Sequence, residues 1–371
     1  MGTMTPEARI EEVTAQIYEI PTDAPEADGT LSWTSTTLVL AEVTAAGRRG
    51  IGYTYADGAC AKLIDGKLAD ALTGHSAVDI PARWASMVAA MRNNGRPGLA
   101  SCAISAVDTA LWDLKSKLLE LPVCRLLGMA RAEVPIYGSG GFTTYDERTT
   151  RAQLERWVHE WKIPRVKIKI GESWGSDVSR DLDRIALTRK VIGPDVELYV
   201  DANGGYDRKQ AIRVAHAMAD HGVTWFEEPV SSDDLDGLRE VRDQVTPDVT
   251  AGEYGYDLAY FNRMLAADAV DCLQIDVTRC GGITDWVRAA AVAASYNVDV
   301  SGHCAPNLHA HVATTIPNLR HLEYFHDHHR IEHMLFDGAL PPDGGALRPD
   351  QHRPGFGLEF KYEDAERYRM T

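Results

Sequence analysis

The chain lacks a cysteine framework. Its six cysteines (Cys60, Cys102, Cys124, Cys272, Cys280, Cys304) include no CxxC pair, a spacing that suits reduced thiols better than disulfides or a structural zinc site. It also lacks any apolar run near the roughly 20 residues that cross a bilayer. Met1 to Thr5 lead into Pro6 with no basic-then-apolar leader. These absences predict a soluble, cytoplasmic protein with no membrane partner. Basic residues are the minority, 38 Lys and Arg against 54 Asp and Glu, for a net charge of −16. No basic face stands out to neutralise phosphates, which argues against a nucleic-acid partner. The acid surplus does not describe the substrate, because one bound divalent cation reverses the field of an acidic cleft. There is no internal repeat and no low-complexity segment. The 371 residues, 44% hydrophobic and 25% charged, suffice for two ordinary globular domains.

The order of patterns along the chain suggests which two. From about Glu11 to Ile51 the sequence alternates as antiparallel strands do: VTAQIYEI, then TTLVLAEVTA, then a Gly50-containing turn into GYTYA. A polar loop, Pro21 to Trp33, separates the first two. Around Ser101 to Leu119 the period becomes helical, with Ile104, Val107, Leu111 and Leu114 on one buried face. After Val134 the pattern alternates between strand and helix. Strands are expected near 134–138, 165–170, 196–201, 223–227, 249–253, 271–276, 297–303 and 320–324. Helical phase is visible between them, as in Val178, Leu182, Ile185 and Ala186, or Ala211, Val214, Ala215 and Met218. Eight short apolar strands with crossover helices favour a closed parallel barrel. The expected fold is therefore α/β, a (β/α)₈ barrel over 131–339. The other domain spans 1–130 and is joined by a C-terminal tail, 340–371, that returns to it.

In such a barrel the C-terminal strand ends converge on one mouth, where active sites form. Here those ends carry Lys167 and Lys169 (RVKIKIG), Asp201 (LYVDANGGY), Glu227 (FEEP), Glu253 (AGE), Asp276 (LQID), His303 (VSGH) and Glu323 (HLEYF). The carboxylates Asp201, Glu227 and Glu253 are each 26 residues apart, about one strand-plus-helix unit. At about 4 Å, each pair of such charges repels by roughly 1 kcal/mol in water and more in a cleft. A hard divalent cation offsets this, and an oxygen-only set suits Mg²⁺. Acids at strand ends also cap helices or face solvent, but three in consecutive units favour the metal. Glu227 is chosen over Glu228, which as its strand neighbour should face the other way.

Lys167 and Lys169 share one strand face. Mutual repulsion and desolvation in the mouth would lower the pKa of one and make it a general base; on an edge strand they would be a solvated face. Asp276 bonded to one nitrogen of His303 would aim the other. Glu323 is either an ordinary glutamate or a carboxyl kept protonated to donate to oxyanion charge. Two tempting signals fail. GSGGFT (138–143) lacks the third glycine of GxGxxG, and the HxxEH match His329–His333 follows the last strand instead of opening a catalytic domain. His326, His328 and His329 either line the mouth or are solvated.

SAVDTALWDLKSK (105–117), KIKIG, DANGGY, FEEP, AGE, DVTRCGGIT and the SGH ending at His303 occur in the order seen in the enolase superfamily. Over nearly its whole length the chain resembles that superfamily's mandelate racemase subgroup. The resemblance implies an α+β capping domain over a modified barrel and Mg²⁺ on Asp201, Glu227 and Glu253. Lys169 would be one base, with Lys167 beside it and the Asp276–His303 dyad across the substrate; Glu323 would bond the substrate carboxylate. The implied chemistry is removal of the proton α to a carboxylate, giving an enediolate. From it a β-hydroxyl can leave, yielding a 2-keto-3-deoxy acid, or the proton can return to the other face. Acid-sugar dehydration leads, ahead of racemisation, epimerisation or cycloisomerisation; a non-catalytic metal-binding barrel is the remote alternative. No lysine occurs from Phe261 to Val300, which disfavours the muconate-cycloisomerase pattern. Asn203 and Trp33 are expected to touch substrate. Between Ile10 and Gly47 there is no Lys or Arg, so a pocket roofed there offers no cation to a second carboxylate. That favours an aldonate over an aldarate, unless Arg279 or the histidines after Glu323 reach in. The family also suggests a symmetric homo-oligomer, from dimer to octamer.

Overall fold

The computed structural model describes residues 8–370; residues 1–7, on which the reading of a leader rested, and residue 371 lie outside the described residues. Three alternating segments form an antiparallel sheet in the order β1 (Ile10–Ala27), β2 (Ser32–Ala45), β3 (Arg48–Tyr55). Ala46 and Gly47, at φ +50° and +68°, make the hairpin between β2 and β3, since two positive φ values match the strand twist. Gly50, expected in a turn, instead lies within β3 opposite Val43. Its reason is close approach. A Cβ on Gly50 would sit 2.2 Å from the Ala110 carbonyl oxygen, and one on Gly52 2.2 Å from that of Ala106. The helix Leu99–Leu118 therefore rests on the bare backbone of β3. The expected Pro21–Trp33 loop is also shorter than foreseen. β1 runs to Ala27 with a register break between Pro21 and Glu26. The chain then turns at Asp28, whose Oδ1 accepts the Thr30 and Leu31 amides at 2.6 and 2.8 Å.

That helix is buried on nearly every side rather than on the one face its period suggested. The sheet covers one side and the helix Gly282–Ser295 another. Its polar residues are satisfied across this second contact. Ser105 Oγ accepts the Gly281 and Gly282 amides at 2.9 and 3.0 Å, and Asp108 takes the Thr284 amide and hydroxyl at 3.0 and 2.7 Å.

Eight parallel strands follow: β4 (Val134–Gly140), β5 (Arg165–Lys169), β6 (Glu197–Asp201), β7 (Val223–Glu227), β8 (Asp248–Ala251), β9 (Cys272–Ile275), β10 (Asp299–Gly302) and β11 (Leu319–Phe325). β11 pairs back onto β4, from Leu322 opposite Ile136 to Phe325 opposite Ser139, and closes the barrel. Each lies where the alternating pattern placed it, and the link after His303 is the helix Pro306–Ala313. The fold is thus a modified (β/α)₈ barrel with an α+β cap. Tyr137, Tyr199 and Trp225 fill the barrel interior with His321 among them, Tyr199 stacking on Trp225 at 5.3 Å. After the barrel, Ala346–Leu347 adds antiparallel to β4, the Phe356 amide donates to Asp113 at 3.0 Å, and the Met370 amide reaches the Ile17 carbonyl at 2.9 Å. All six cysteines are buried and unpaired. Among the described residues no helix is long and apolar enough to cross a membrane.

Glu332, on the helix His326–Leu335, ties cap to barrel. It accepts from the Tyr53 hydroxyl of β3 at 2.8 Å and from the Asn307 backbone and side-chain amides. Burial raises its pKa from 4.5 to about 7.

Two outcomes are expected. Gly52→Ala forces the Leu99–Leu118 helix off β3 and lowers stability in urea by about 1–3 kcal/mol; an unchanged midpoint would refute the contact. Glu332 holds its proton more tightly folded than unfolded, so its contribution is complete below pH 4.5 and is lost as pH rises through about 7. Between those values the urea midpoint of the wild type should fall relative to that of Glu332→Gln, and parallel profiles would contradict this.

Candidate active site

The strand register sets the site. Lys169 lies opposite Asp201 and Asp201 opposite Glu227 on adjacent strands, so their side chains emerge side by side at the barrel mouth. Glu253 follows two residues after β8. Donor oxygens of Asp201, Glu227 and Glu253, all buried, lie within 4.8 Å of one another. Glu253 Oε2 and Asn203 Oδ1 are buried there without a hydrogen-bond partner. An oxygen-only set with unsatisfied acceptors fits a hard divalent cation.

Without such an ion the lysines carry the compensation. Lys167 Nζ lies 2.5 Å from Glu227, 2.8 Å from Glu323 and 3.5 Å from Asp201; Lys169 Nζ lies 2.5 Å from Asp201. Burial disfavours the charge on both lysines, but Glu227 and Glu323 outweigh it at Lys167 and Asp201 at Lys169, so both pKa values move up, opposite to the drop the KxK spacing suggested for one of them. The reason is stoichiometric: acids surround both ammonium groups. Glu227 is pushed up to about 8 by burial and then by Asp201. Of the two alternatives for Glu323, the protonated one fails. Burial would raise it, yet Lys167, His303 and Lys169 together hold it below the usual carboxylate range. It is an ionised acceptor here, not a protonated donor.

His303 Nδ1 sits 2.8 Å from Asp276 Oδ2, while Asp276 Oδ1 accepts the Thr278 amide and hydroxyl, each at 2.7 Å. The carboxylate is thereby fixed and turns Nε2 outward. Nε2 lies 3.2 Å from Glu253 Oε2 and 3.5 Å from Glu323 Oε2. Burial opposes charge on the imidazole, but Cys304, Glu253 and Glu323 around it raise its pKa.

A cavity of about 440 Å³ opens above these groups. Its barrel side carries Lys169, Asn203, Glu253, His303 and Glu323; its cap side carries Asp28, Trp33, Thr36, Tyr55 and Asp57. Asn203 and Trp33 thus stand where substrate contacts were expected. Asn203 is held at φ +46° with its amide 2.9 Å from Asp201 Oδ1, and Trp33 Nε1 donates to the buried Glu26 at 2.8 Å. Lys167 and Asp276 lie behind the wall, fully buried. Arg279 does reach the cavity, but it is bound to Glu253 at 3.3 Å and to Asp276 at 3.5 Å.

The histidines after Glu323 divide. His328 lines the cavity, stacked on Tyr55 at 3.5 Å, and burial lowers its pKa to about 3. His326 pairs with Asp23 at 3.1 Å, and His329 Nδ1 meets the Tyr324 hydroxyl at 2.6 Å. The HxxEH residues do not converge on an ion, since Glu332 is committed to Tyr53 and Asn307.

Sequence reasoning missed three groups. Glu228 adopts φ +39° and is buried with Oε1 unpartnered; burial, then Glu253 and Asp201, raise its pKa. Strand alternation assigned it to the far face, and only the left-handed backbone returns it to the acids. Ser139 Oγ, inside the discounted GSGGFT, donates to Glu323 Oε1 at 2.6 Å. Cys304 places Sγ 3.4 Å from His303 Nε2; its position directly after SGH was the available signal.

Comparison with known proteins gives the same assignment from two directions. The enolase C-terminal domain-like model matches residues 149–365, and the mandelate racemase / muconate lactonizing enzyme N-terminal domain matches 12–128. L-talarate/galactarate dehydratase of Salmonella typhimurium is 30% identical over 97% of this chain and 91% of its own. A mandelate racemase/muconate lactonizing enzyme-like protein from Rubrobacter xylanophilus superposes with a TM-score of 0.94 at 48% identity, covering 98% of this chain and 100% of that one. L-talarate dehydratase from Polaromonas sp. JS666, solved with Mg and L-glucarate, gives 0.88 at 28% identity over 98% of each chain. The chain belongs to the mandelate racemase/muconate lactonizing enzyme family of enolase-like proteins.

Proposed function

We propose that this chain is a Mg²⁺-dependent acid-sugar dehydratase acting on a monocarboxylate polyol. One observation carries the reading: Lys169 and His303 stand three strands apart around one cavity that Glu253 also lines, beside the grouped carboxylates. Mg²⁺ on Asp201, Glu227 and Glu253 would supply positive charge beside the substrate carboxylate, where negative charge grows as the α-proton leaves. The magnesium in the related Polaromonas enzyme supports that choice of ion.

Lys169 takes the α-proton, a role that requires Asp201 to be engaged elsewhere than on its ammonium. His303, oriented by Asp276, protonates the β-hydroxyl from the other side. The Cβ–O bond breaks, water departs, and the enol rearranges to a 2-keto-3-deoxy acid. Ser139 and Lys167 hold Glu323 Oε1, leaving Oε2 toward His303 and the cavity. The dehydratase relatives support this reaction. Because two proton-transfer groups flank one space, racemisation, epimerisation or cycloisomerisation of a sugar acid is the second reading.

The substrate class follows from the cap. Beside Leu31, Trp33 and Ala56, its polar contribution to the wall is hydroxyl and carboxylate, from Ser35, Thr36, Thr37, Tyr55, Asp28 and Asp57, with no cation among the described residues. Lys169 and Arg279 are the cavity's permanent cations, both at the barrel end, and Arg279 is already paired. A distal carboxylate would be desolvated without a partner, whereas sugar hydroxyls find acceptors throughout. The reading therefore departs from the dicarboxylates for which the Salmonella relative is named.

The Mg²⁺-loaded protein in D₂O, given a panel of aldonates and aldarates and followed by NMR, should convert an aldonate to its 2-keto-3-deoxy acid. Lys169→Met and His303→Asn should each lower kcat/KM at least about 100-fold. Turnover of galactarate or glucarate without any aldonate would overturn the substrate class. Exchange or inversion without loss of water would move the reaction to the isomerases.

A further inference from the structure

Three different donor atoms meet beside the carboxylate cluster: His303 Nε2, Cys304 Sγ and Glu323 Oε2, all on buried residues. Sγ lies 3.4 Å from Nε2 and 3.3 Å from Oε2, and Nε2 lies 3.5 Å from Oε2. A tetrahedral ion with bonds of about 2.0–2.3 Å sets its ligands about 3.3–3.8 Å apart. An octahedral Mg²⁺ at about 2.0–2.1 Å would want neighbours about 2.9 Å apart. The triangle matches the first spacing and is too wide for the second. We propose that these three atoms form a second cation site, specific for a thiophilic divalent ion such as Zn²⁺, whose filling shuts down proton transfer by His303.

The surroundings are those of a built site. Asp276 holds Nδ1 at 2.8 Å, the outer carboxylate that orients and strengthens a metal-binding imidazole. Glu323 Oε1 is occupied by Ser139 and Lys167, while Oε2 accepts from the Cys304 thiol at 3.3 Å, a contact that a bound ion would replace. Sulfur and nitrogen donors select zinc-like ions over magnesium. Binding is a ligand exchange with no redox change: the donors use lone pairs, so protons on Sγ and Nε2 leave to solvent and affinity rises with pH. With Nε2 on a metal, His303 can neither give nor take a proton at the cavity.

The binding stands apart from the proposed dehydration; only its effect on turnover rests on that reading. Among the described residues, none of the other five cysteines belongs to a group of three metal donors, so a cobalt–thiolate signal reports Cys304. Co²⁺ titrated anaerobically into protein held in millimolar Mg²⁺ should give a thiolate-to-cobalt charge-transfer band and tetrahedral d–d bands, saturating at one equivalent. Zn²⁺ should bleach them, and a tenfold further excess of Mg²⁺ should not. Cys304→Ser, checked by circular dichroism, should lose the charge-transfer band, and Glu323→Gln should keep it with Co²⁺ affinity at least tenfold weaker. Cys60→Ser should behave as wild type. Absence of the band in the wild type, its survival in Cys304→Ser, or its displacement by Mg²⁺ would each overturn the site, whichever sugar acid is turned over.

Discussion

Asp201, Glu227, Glu228, Glu253, Asp276 and Glu323 are all buried at one end of the barrel, and the permanent cations among them are Lys167, Lys169 and Arg279. Acids thus outnumber bases where water is excluded, and burying an unpaired charge costs several kcal/mol or more. Much of the site's arrangement follows from relieving that excess. Lys167 bridges Glu227 and Glu323, Lys169 is drawn onto Asp201, and Glu227 and Glu228 are pushed toward holding protons. A divalent cation is the remaining way to balance the charge, so the affinity for metal is built into the fold.

The cap answers a different need. It closes the mouth with a sheet pinned by the helix Leu99–Leu118, and that helix is locked to the barrel through Ser105 and Asp108. Glu332 makes a second tie from Tyr53 to Asn307. Rigid attachment lets short polar side chains such as Thr36 and Asp57 line a cavity whose chemistry lies on the opposite wall. In the proposed reaction, proton transfer and substrate choice would thereby fall to different parts of the chain.

The two roles proposed for His303 draw on one geometry. The Asp276 contact would fix its tautomer for proton transfer, and it is also the contact a metal-bound imidazole uses. Cys304, next in sequence, supplies the soft donor that decides which ion the arrangement would accept.

The sequence by itself determined the order of elements, because side-chain period distinguishes strand from helix and the eight apolar runs stand apart. It also determined the identity of the acids, lysines and His303, since each ends one of those runs. What it misjudged were places where a residue's role depends on a neighbour remote in sequence. Gly50 reads as a turn until a helix packs on it; Leu99–Leu118 reads as half-buried until two layers enclose it. One of Lys167 and Lys169 reads as a base of lowered pKa until the acids close around both, and the choice between an ordinary and a protonated Glu323 stays open until Lys167 and His303 lie beside it. Glu228 escapes the strand rule through one left-handed residue. Charge state, reach and cavity shape are sums over distances that only barrel closure creates, and these were decided by the tertiary structure.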